Sequence, residues 1–554
     1  MILTIVYLGL SLPYLNLPGI QYDEVYHVPP AIAILKGHLG GEPIQIDPSI
    51  IHLFGRPFPL MFNYYTGFVK TYLCLPFFAI FGFNVYTIRG TALLLGLTAL
   101  VFTFLFAHKL TNNKFVAFAS TLFMATDASY IFYTRTDYAV VGTMMAFKMI
   151  SLFFLLKWWQ YPKIKYLVIG SFVLGLGISD RASFLWILFS LMAFAILFVY
   201  KQLKQKWHSK QISGKDVAAS LISFTVGASI FIAFNVATFG GTFRPVLATF
   251  GSHSTTVNNL NFFNNLFLRL QMLTDVLSGK YLFHHYFESP RYITDQWVWS
   301  GSLFSLAFTL AFFYFVGKAV FTFLKDRQVD TKEGFLILMS LSLLLWSCFT
   351  PTLFRGHQLI MLYPFIHILI ALFIWQSVQY IRKKFTGGRI KVKFLLSVAP
   401  AVVALIIASN LLVIQKYYKE LLKTGGLGIW SDAIYELVDY LKRHPDWTVV
   451  CMDWGFNQNI LSLSDGKVRT ERKYYKHNLQ DEKSLFGLFQ KNYIFLFHTD
   501  KFTYFERPKH IFSQAVQDQN AKVELIKSFY QRDGEKVYQL FRVYVEETKP
   551  GLNS

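Results

Sequence analysis

The stretch QYDEVYHVPP, residues 21–30, follows the first apolar run of the chain and places two adjacent carboxylates, a histidine and two prolines beside it. Around it, 54% of the 554 residues are hydrophobic and only 15% are charged, which is far from the composition of a soluble domain. Several apolar runs approach the roughly 20 residues that a helix needs to cross a bilayer. The sequence therefore predicts a polytopic α-helical membrane protein, in which charged residues at a membrane edge need a partner or a function.

The apolar runs predict about eleven membrane spans. They cover residues 1–18, 90–109, 115–131, 138–157, 164–180, 182–201, 217–238, 298–320, 335–350, 358–380 and 394–413. Residues 64–82 are also apolar, but Lys70 and Pro76 interrupt the run, and a span there would turn the loop 201–215, with its five lysines, outward. Because Lys and Arg collect in cytoplasmic loops, we predict that 64–82 is an amphipathic juxtamembrane helix in the first outer loop.

Most basic residues lie in short clusters between apolar runs. The clusters are Lys157, Lys163 and Lys165; Lys201, Lys204, Lys206, Lys210 and Lys215; Lys325, Arg327 and Lys332; and Arg382, Lys383, Lys384, Arg389, Lys391 and Lys393. Such loops are typical of the cytoplasmic side, so we expect a cytoplasmic amino terminus and an outer face formed by residues 19–89, 239–297 and the tail. The net charge of +21 does not indicate a nucleic-acid partner, since no basic region carries interleaved stacking aromatic residues.

The last 140 residues or so change character and predict a soluble α/β domain. In SDAIYELVDYLKRHPDW, residues 431–447, apolar side chains recur at helical spacing. TVVCMDW (448–454) and NYIFLFHTD (492–500) have the pattern of buried strands. We therefore predict two domains, a transmembrane domain over residues 1–414 and an extracytoplasmic α/β domain over residues 415–554.

Charged residues of the predicted outer loops and turns would converge on one face of the helix bundle. They are Asp23, Glu24, His27, Arg56 and Lys70 in the first loop, Arg89 at the second span, and Arg135, Asp137, Asp180, Arg181, Arg355 and His357 in later turns. His284 and His285, in another predicted outer loop, are expected to contact the lipid phosphate or the acceptor. A cationic ring suits a phosphate or diphosphate headgroup, since Arg offers paired donors and Lys a compact charge. Carboxylates inside the ring suit activation of a hydroxyl nucleophile. Together they predict transfer of a sugar from a lipid phosphate to an acceptor.

The leaving group determines how many acids such a reaction needs. Glycosidases need an acid because an alkoxide leaves poorly, whereas a lipid phosphate leaves without protonation. Direct displacement then requires one base for the acceptor and positive charge for the phosphate, and it inverts the anomeric carbon. Asp23 is the predicted base, with Glu24 and Asp137 as orienting or substrate-binding groups. Lipid-phosphate or donor contacts are predicted for Arg56, Lys70, Arg89, Arg181, Arg355 and His357, and acceptor or auxiliary contacts for His27, Arg135, His284 and His285.

Three segments resemble the C-type membrane glycosyltransferases. They are YDEVYH (22–27), RPFPLMFNYYTGFVKTYL (56–73) and YTRTDYAVV (133–141). The chain is most similar to the bacterial branch of the dolichyl-phosphate-mannose protein mannosyltransferase family, which contains the lipid A aminoarabinose transferase. The resemblance covers about residues 1–410 and is densest in the first 190. It implies a polyprenyl-phosphate sugar donor, a protein, lipid or glycan hydroxyl acceptor in the cell envelope, membrane-lipid contacts, and a multi-pass place in a bacterial-type inner or plasma membrane.

The resemblance also implies roles for individual residues. Asp23 matches the proposed base of the family, Glu24 its usual neighbour, and Asp137 the second acidic position. Arg56 or Lys70 matches a cation near the lipid phosphate, and Arg181 has a similar place. Many relatives have Lys-Pro or His-Pro-Pro where this chain has GRPFPL, so the choice between Arg56 and Lys70 stays open. No cofactor is assigned; a divalent metal is left open because relatives differ.

Other functions and roles compete with this interpretation. A transporter or flippase would place charges near the bilayer midplane, on broken helices in two related halves, and the sequence shows no repeated halves. A membrane-anchored receptor would leave the outer charges unexplained. Asp137 could instead cap the fourth span, and Arg89 and Arg181 could extend to lipid headgroups. The spacing of His284, His285 and Glu288 matches no zinc template.

Overall fold

The structure is a computed structural model, and it describes residues 1–37, 50–249, 258–287, 301–350, 354–384 and 389–545. Helices dominate the first 424 residues, as the apolar composition predicts. They are α1 (Ile2–Ser11), α2 (Tyr22–Val25), α3 (Val28–Lys36), α4 (Val69–Phe81), α5 (Val85–Thr111), α6 (Lys114–Thr126), α7 (Ala128–Thr136), α8 (Val141–Gln160), α9 (Ile164–Asp180), α10 (Phe184–Phe194), α11 (Tyr200–His208), α12 (Gly214–Gly227), α13 (Ser229–Ala237), α14 (Phe243–Ala248), α15 (Phe262–Leu277), α16 (Lys280–Phe287), α17 (Phe304–Asp326), α18 (Thr331–Trp346), α19 (Phe365–Lys384) and α20 (Arg389–Thr424). Short 3₁₀ helices at Tyr138–Val140 and Gly356–Leu362 lie between them.

The described residues contain six helices long and apolar enough to cross a membrane, and up to eight if each of two bent pairs counts as one span. The bent pairs are α6 with α7, at 64°, and α12 with α13, at 65°. The polytopic helical fold is confirmed, but the predicted count of eleven spans is not. The runs predicted as spans 1–18, 164–180 and 335–350 form helices of 10, 17 and 16 residues. Ten residues are too few to cross a bilayer, and helices of 16 and 17 residues lie near the lower limit of about 17.

The loop between α1 and α5 contains more than the predicted helix. Helix α4 packs against α3, α5 and α9 and starts only at Val69. Before it lie two antiparallel strand pairs, β1 (Ile50–Leu53) with β2 (Arg56–Pro59) and β3 (Met61–Asn63) with β4 (Thr66–Gly67). The Asn63 side chain accepts the N–H groups of Tyr65 and Thr66 at 2.9 and 2.7 Å, so it closes the turn of the second pair.

The tail forms the predicted α/β unit. Its elements are α21 (Ala433–Lys442), β5 (Thr448–Cys451), α22 (Asn457–Leu463), β6 (Arg469–Arg472), α23 (Lys483–Phe486), β7 (Tyr493–His498), α24 (Arg507–Asp518), β8 (Lys522–Tyr530) and β9 (Lys536–Tyr544). The five strands run in the order β6-β5-β7-β9-β8, with β5 parallel to β6 and β7 and the other pairs antiparallel. Helix α20 crosses position 414 and ends at Thr424, while the division of the chain into two domains stays a prediction.

The beginning of the chain contacts the tail through backbone atoms. The Gly19 N–H donates to the carbonyl oxygens of Trp430 and Gly425 at 2.7 and 3.2 Å. The Asn459 side chain donates to the Ile20 carbonyl at 2.8 Å. A Cβ on Gly19 would lie only 2.1 Å from the Ser431 carbonyl oxygen, so this contact requires a residue without a side chain. It places residues 21–30 directly against the C-terminal domain.

We expect Gly19→Ala to weaken this contact, because its methyl group would collide with the backbone of Ser431. Overpacking of this kind costs about 1–3 kcal/mol. Thermal unfolding in detergent and the rate of proteolysis within residues 415–545 would measure the effect. Gly9→Ala is the matched control, since nothing lies within 4 Å of a Cβ at that position. Equal stability of the two variants would contradict the contact.

Candidate active site

Helix α2 is a single turn that the sequence stabilises at its start. The Gln21 side chain accepts the Asp23 N–H at 2.7 Å, and the Glu24 carboxylate accepts the Gln21 N–H at 3.4 Å. This reciprocal pair is a capping box, which satisfies donors that a helix start leaves unpaired. It fixes the two neighbouring carboxylates on one short turn.

Asp23 lines a cavity of about 830 Å³ between the helical region and the C-terminal domain. We call its lining from the helical region the floor and its lining from the tail the roof. The floor comprises Asp23, Tyr26, Tyr138, Ala139, Arg181, His285, Arg355, His357 and Gln358. One side is formed by residues 62–66 and Phe68 of the first loop. Its roof is formed by Ile429, Trp454, Asn457, Gln458, Leu461, Arg472, Tyr475, His477 and Tyr504. Segments from both ends of the chain and from several loops between them therefore share one hollow.

Asp23 has an environment suited to proton transfer. Burial raises its pKa from 3.8 to about 6, while the charges of Arg181 and Arg355 and the neighbouring Tyr138 hydroxyl act in the opposite direction. The Tyr138 hydroxyl also lies 3.1 Å from Nε2 of His285. A carboxyl group with a pKa near the operating pH can both hold and release a proton, which is what a general base needs.

Arg181 and Arg355 are the cations of the floor. Arg181 follows α9, and its backbone is paired with Thr66 of the first loop. The Ala182 N–H also donates to the Tyr65 carbonyl at 2.9 Å. A Cβ on Gly67 would lie 1.9 Å from the Ser179 carbonyl oxygen, so the loop rests directly on the backbone before Arg181. Arg181 is therefore held at the cavity by main-chain contacts.

The two floor histidines are neutral groups rather than cations. Burial, together with the charge of Arg355, lowers the pKa of His285 from 6.5 to about 4. Burial also holds the pKa of His357 well below its usual range, with Arg181, His285 and Arg355 adding to the effect. Both imidazoles can donate or accept a hydrogen bond at neutral pH.

Glu24 lies outside the cavity lining, although it neighbours Asp23 in sequence. Its carboxylate pairs with Arg89 through two contacts of 2.6 and 2.8 Å, and both side chains are 0% exposed. Arg89 also donates to the carbonyls of Leu15 and Pro18 at 2.7 and 2.9 Å. This pair fixes the start of the first loop on α5.

Asp137 is held by the start of α8 and by Lys70. Its carboxylate accepts the Gly142 N–H, accepts the Thr143 hydroxyl at 3.0 Å, and lies 3.0 Å from the Lys70 ammonium. These contacts fit the helix-capping alternative, and neither Asp137 nor Lys70 lines the cavity. The following residues, Tyr138 and Ala139, do line it. Asp137 therefore shapes the floor without facing it.

The remaining predicted site residues lie away from the lining. Arg56 donates to the carbonyls of Ile34 and Leu35 at the end of α3. Arg135 donates to the Tyr418 hydroxyl and to the carbonyls of Pro13 and Tyr14. His27 is fully buried, and its pKa is held well below its usual range by burial and by Lys70. His284 is half-buried beside Asp275.

The roof is the part of the site that sequence analysis missed. Trp454, Arg472 and Tyr504 lie at or after the carboxyl ends of the three parallel strands β5, β6 and β7. In open α/β sheets, ligands usually bind at the carboxyl ends of the parallel strands, at the point where the strand order reverses. The sequence therefore contained a pattern that could have predicted the roof, namely buried strands followed by polar and aromatic residues.

The roof loops are tied together by one carboxylate. Asp453 accepts the N–H groups of Tyr504 and Phe505 at 2.8 and 3.0 Å and pairs with Nδ1 of the buried His498 at 2.9 Å. As a result, the Trp454 ring lies 5.0 Å from that of Tyr504 and 5.1 Å from that of Tyr22 in α2. This aromatic row joins the roof to the helix that carries Asp23.

Within the described ranges, no group of three or more His, Cys, Asp or Glu side chains is arranged to hold a metal ion. Glu288, considered with His284 and His285, lies outside the described residues. The titratable and charged groups of the floor include one carboxylate, Asp23, and two histidines of lowered basicity beside Arg181 and Arg355, a set that fits an anion better than a cation.

Comparison with solved structures identifies two crystal structures of ArnT from Cupriavidus metallidurans. The apo structure gives a TM-score of 0.59 and the structure bound to undecaprenyl phosphate 0.54, each at 10% identity over 97% of this chain and 97% of that chain. No protein-family model matches the sequence. No curated protein matches it either. The resemblance to the C-type glycosyltransferases is thereby confirmed for the fold, and it extends through the C-terminal domain.

We expect Glu24→Gln to destabilise the protein by about 3–5 kcal/mol, because removing one partner leaves the Arg89 charge buried and uncompensated. Thermal unfolding in detergent would measure the change. Asp439→Asn is the control: its pair with Lys442 is exposed, and such pairs contribute less than about 1 kcal/mol. A Glu24→Gln protein as stable as the control would show that the pair with Arg89 does not hold the loop.

Proposed function

We propose that the protein is an inverting membrane glycosyltransferase that moves a sugar from a polyprenyl-phosphate donor to a hydroxyl acceptor. The observation that carries this proposal is the Asp23 carboxyl, with a pKa raised to about 6, in a cavity that also presents Arg181 and Arg355. The ArnT structure bound to undecaprenyl phosphate supports a lipid-phosphate donor, since it shares the fold over nearly the whole chain.

The donor occupies the floor of the cavity. Its phosphate lies against the guanidinium groups of Arg181 and Arg355, which donate paired hydrogen bonds and balance the charge that grows on the phosphate as the bond breaks. Neutral His285 and His357 add hydrogen bonds without adding charge. In this proposal Arg181 and Arg355 take the role that sequence analysis left open between Arg56 and Lys70.

The acceptor approaches from the roof, opposite the lipid. Its hydroxyl gives its proton to the Asp23 carboxylate while its oxygen forms a bond to the anomeric carbon. The bond between that carbon and the phosphate oxygen breaks, and its electron pair leaves with the lipid phosphate. Attack from the face opposite the leaving group inverts the anomeric configuration. Trp454, Tyr475 and Tyr504 offer aromatic faces to the acceptor, with Arg472 and His477 beside them.

The reaction is proposed to take place on the outer face of the membrane. The four basic clusters are on the cytoplasmic side by the positive-inside tendency. The amino terminus is then cytoplasmic and the C-terminal domain extracytoplasmic. In this orientation the roof meets acceptors in the aqueous phase, while the floor receives the lipid-linked donor from the bilayer.

A panel of polyprenyl-phosphate sugars, with release of lipid phosphate as readout, tests the proposal. We expect Asp23→Asn to lower kcat by about 10²- to 10⁴-fold while binding of undecaprenyl phosphate persists, because the amide cannot accept the proton. Asp439→Asn, an exposed carboxylate of α21, should keep full activity. Full turnover by Asp23→Asn would remove Asp23 as the base. Movement of labelled donor across vesicles with no glycosyl bond broken would support the transporter alternative instead.

We expect the activity to depend on pH through Asp23. The carboxyl group must be ionised to accept the acceptor proton, and burial raises its pKa to about 6. The value of kcat/KM should therefore fall about tenfold per pH unit below pH 6 and be level above it. Initial rates between pH 4.5 and 8, roughly 1.5 to 2 units either side of that pKa, would give the profile. A profile that is flat across pH 6 would contradict an essential Asp23 carboxylate.

A further inference from the structure

Lys148 is a lysine inside a membrane-spanning helix, and the proposed chemistry does not use it. It lies in α8, and its side chain is 0% exposed. Among the described ion pairs, none includes Lys148. A buried ammonium costs several kcal/mol unless its donors are satisfied, so the groups around it indicate what it does.

The Lys148 ammonium is satisfied by backbone carbonyls. It donates to the carbonyl oxygen of Met361 at 2.8 Å and to that of Tyr363, and it lies 3.1 Å from the Met145 sulfur. The centroid of the Phe365 ring lies 5.6 Å from the ammonium. Met361 is in the last turn of the 3₁₀ helix Gly356–Leu362, and Tyr363 is the residue that follows this helix. Carbonyls at a helix end lack partners within the helix and favour a positive charge.

The segment held in this way reaches the floor of the cavity at its other end. Arg355 immediately precedes the 3₁₀ helix, His357 and Gln358 lie in its first turn, and all three line the cavity. A 3₁₀ helix has weaker internal hydrogen bonds than an α-helix, so its position depends on contacts from outside. Lys148 provides such a contact from a long, well-packed helix.

A second contact links the same segment to the opposite side of the floor. The Tyr363 hydroxyl lies 3.2 and 3.3 Å from the two Asp127 carboxylate oxygens. Asp127 caps α7 by accepting the Tyr130 N–H at 2.7 Å, and α7 ends at the turn that carries Tyr138. Lys148 and Asp127 thus hold the two segments that present Arg355 and Tyr138 to Asp23.

We propose that Lys148 is a positioning residue, which places Arg355 and His357 at the cavity by binding the carbonyl end of the 3₁₀ helix that follows Arg355. The proposal rests on the proposed function, because its readout is release of lipid phosphate. A positioning role differs from a role in stability alone, because it predicts that the effect of changing Lys148 on activity depends on the presence of Arg355. Displacement of a positioned group by about 1 Å can cost about 10²-fold in rate.

A double-variant cycle with Arg355 tests the proposal. We expect Lys148→Met to lower kcat/KM for the donor about 10²-fold per folded molecule, and Arg355→Ala to lower it by a comparable factor. Lys148→Met combined with Arg355→Ala should lose far less than the product of the two factors, because Lys148 acts through Arg355. Lys148→Arg keeps the donors to both carbonyls and should recover most of the lost activity.

The controls separate positioning from stability. Lys157→Met, at the other end of α8, should leave activity unchanged, since Lys157 lies over the rings of Phe153 and Tyr166 and does not line the cavity. If Lys148→Met does not fold, Lys148→Gln, which keeps one neutral donor group, replaces it in the cycle. The proposal would be overturned if the double variant lost kcat/KM by the product of the two single losses. It would also be overturned if Lys148→Met kept full activity and only its Tm fell. A wild-type protein that releases lipid phosphate from no donor would instead overturn the proposed function.

Discussion

The ion pair between Glu24 and Arg89 fixes the loop between α1 and α5, and the rest of the cavity depends on where that loop lies. Burial of two full charges is repaid only when both are closely paired and hydrogen-bonded, and here the carboxylate receives two contacts while Arg89 also binds two carbonyls. Its sequence neighbour Asp23 has no such bidentate partner among the residues that the structure describes, and burial raises its pKa. Adjacent carboxylates therefore differ in chemistry because only one of them is neutralised.

The fold class could be predicted from the sequence, because apolar runs, basic loops and the strand-like segments of the tail are local patterns. Asp23, Arg181 and Arg355 were predicted as site residues and do line the cavity. The span count was not confirmed, since three of the predicted spans form helices of 10, 17 and 16 residues. Two others are bent between α6 and α7 and between α12 and α13. Residues 61–67 form a strand pair whose turn depends on the Asn63 side chain, which a search for apolar runs does not detect.

The roles of individual charges could not be predicted, because a charged side chain at a membrane edge can serve the site or the scaffold. The sequence alone does not distinguish the roles of Arg56 and Lys70, since both are basic residues of the same loop. In the structure Arg56 binds carbonyls at the end of α3, whereas Lys70 pairs with Asp137. Asp137, Ala139 and Val140 have φ values of 46°, 52° and 54°, a conformation that costs side chains such as valine about 1–3 kcal/mol each. Asp137 and Lys70 stabilise this turn from outside the cavity. Their ion pair joins distant parts of the chain, so the sequence alone does not reveal it.

The cavity has a consequence for biogenesis, because its floor and roof come from opposite ends of the chain. Ile20 and Asn459, which meet where the loop contacts the tail, are 439 residues apart. At synthesis rates of about 5–20 residues per second, roughly 20–90 s pass between emergence of the two partners from the ribosome. During that interval the cavity lacks the residues of its roof. The cavity is therefore complete only after the tail segment from Ile429 to Tyr504 has been synthesised and has folded against the first loop.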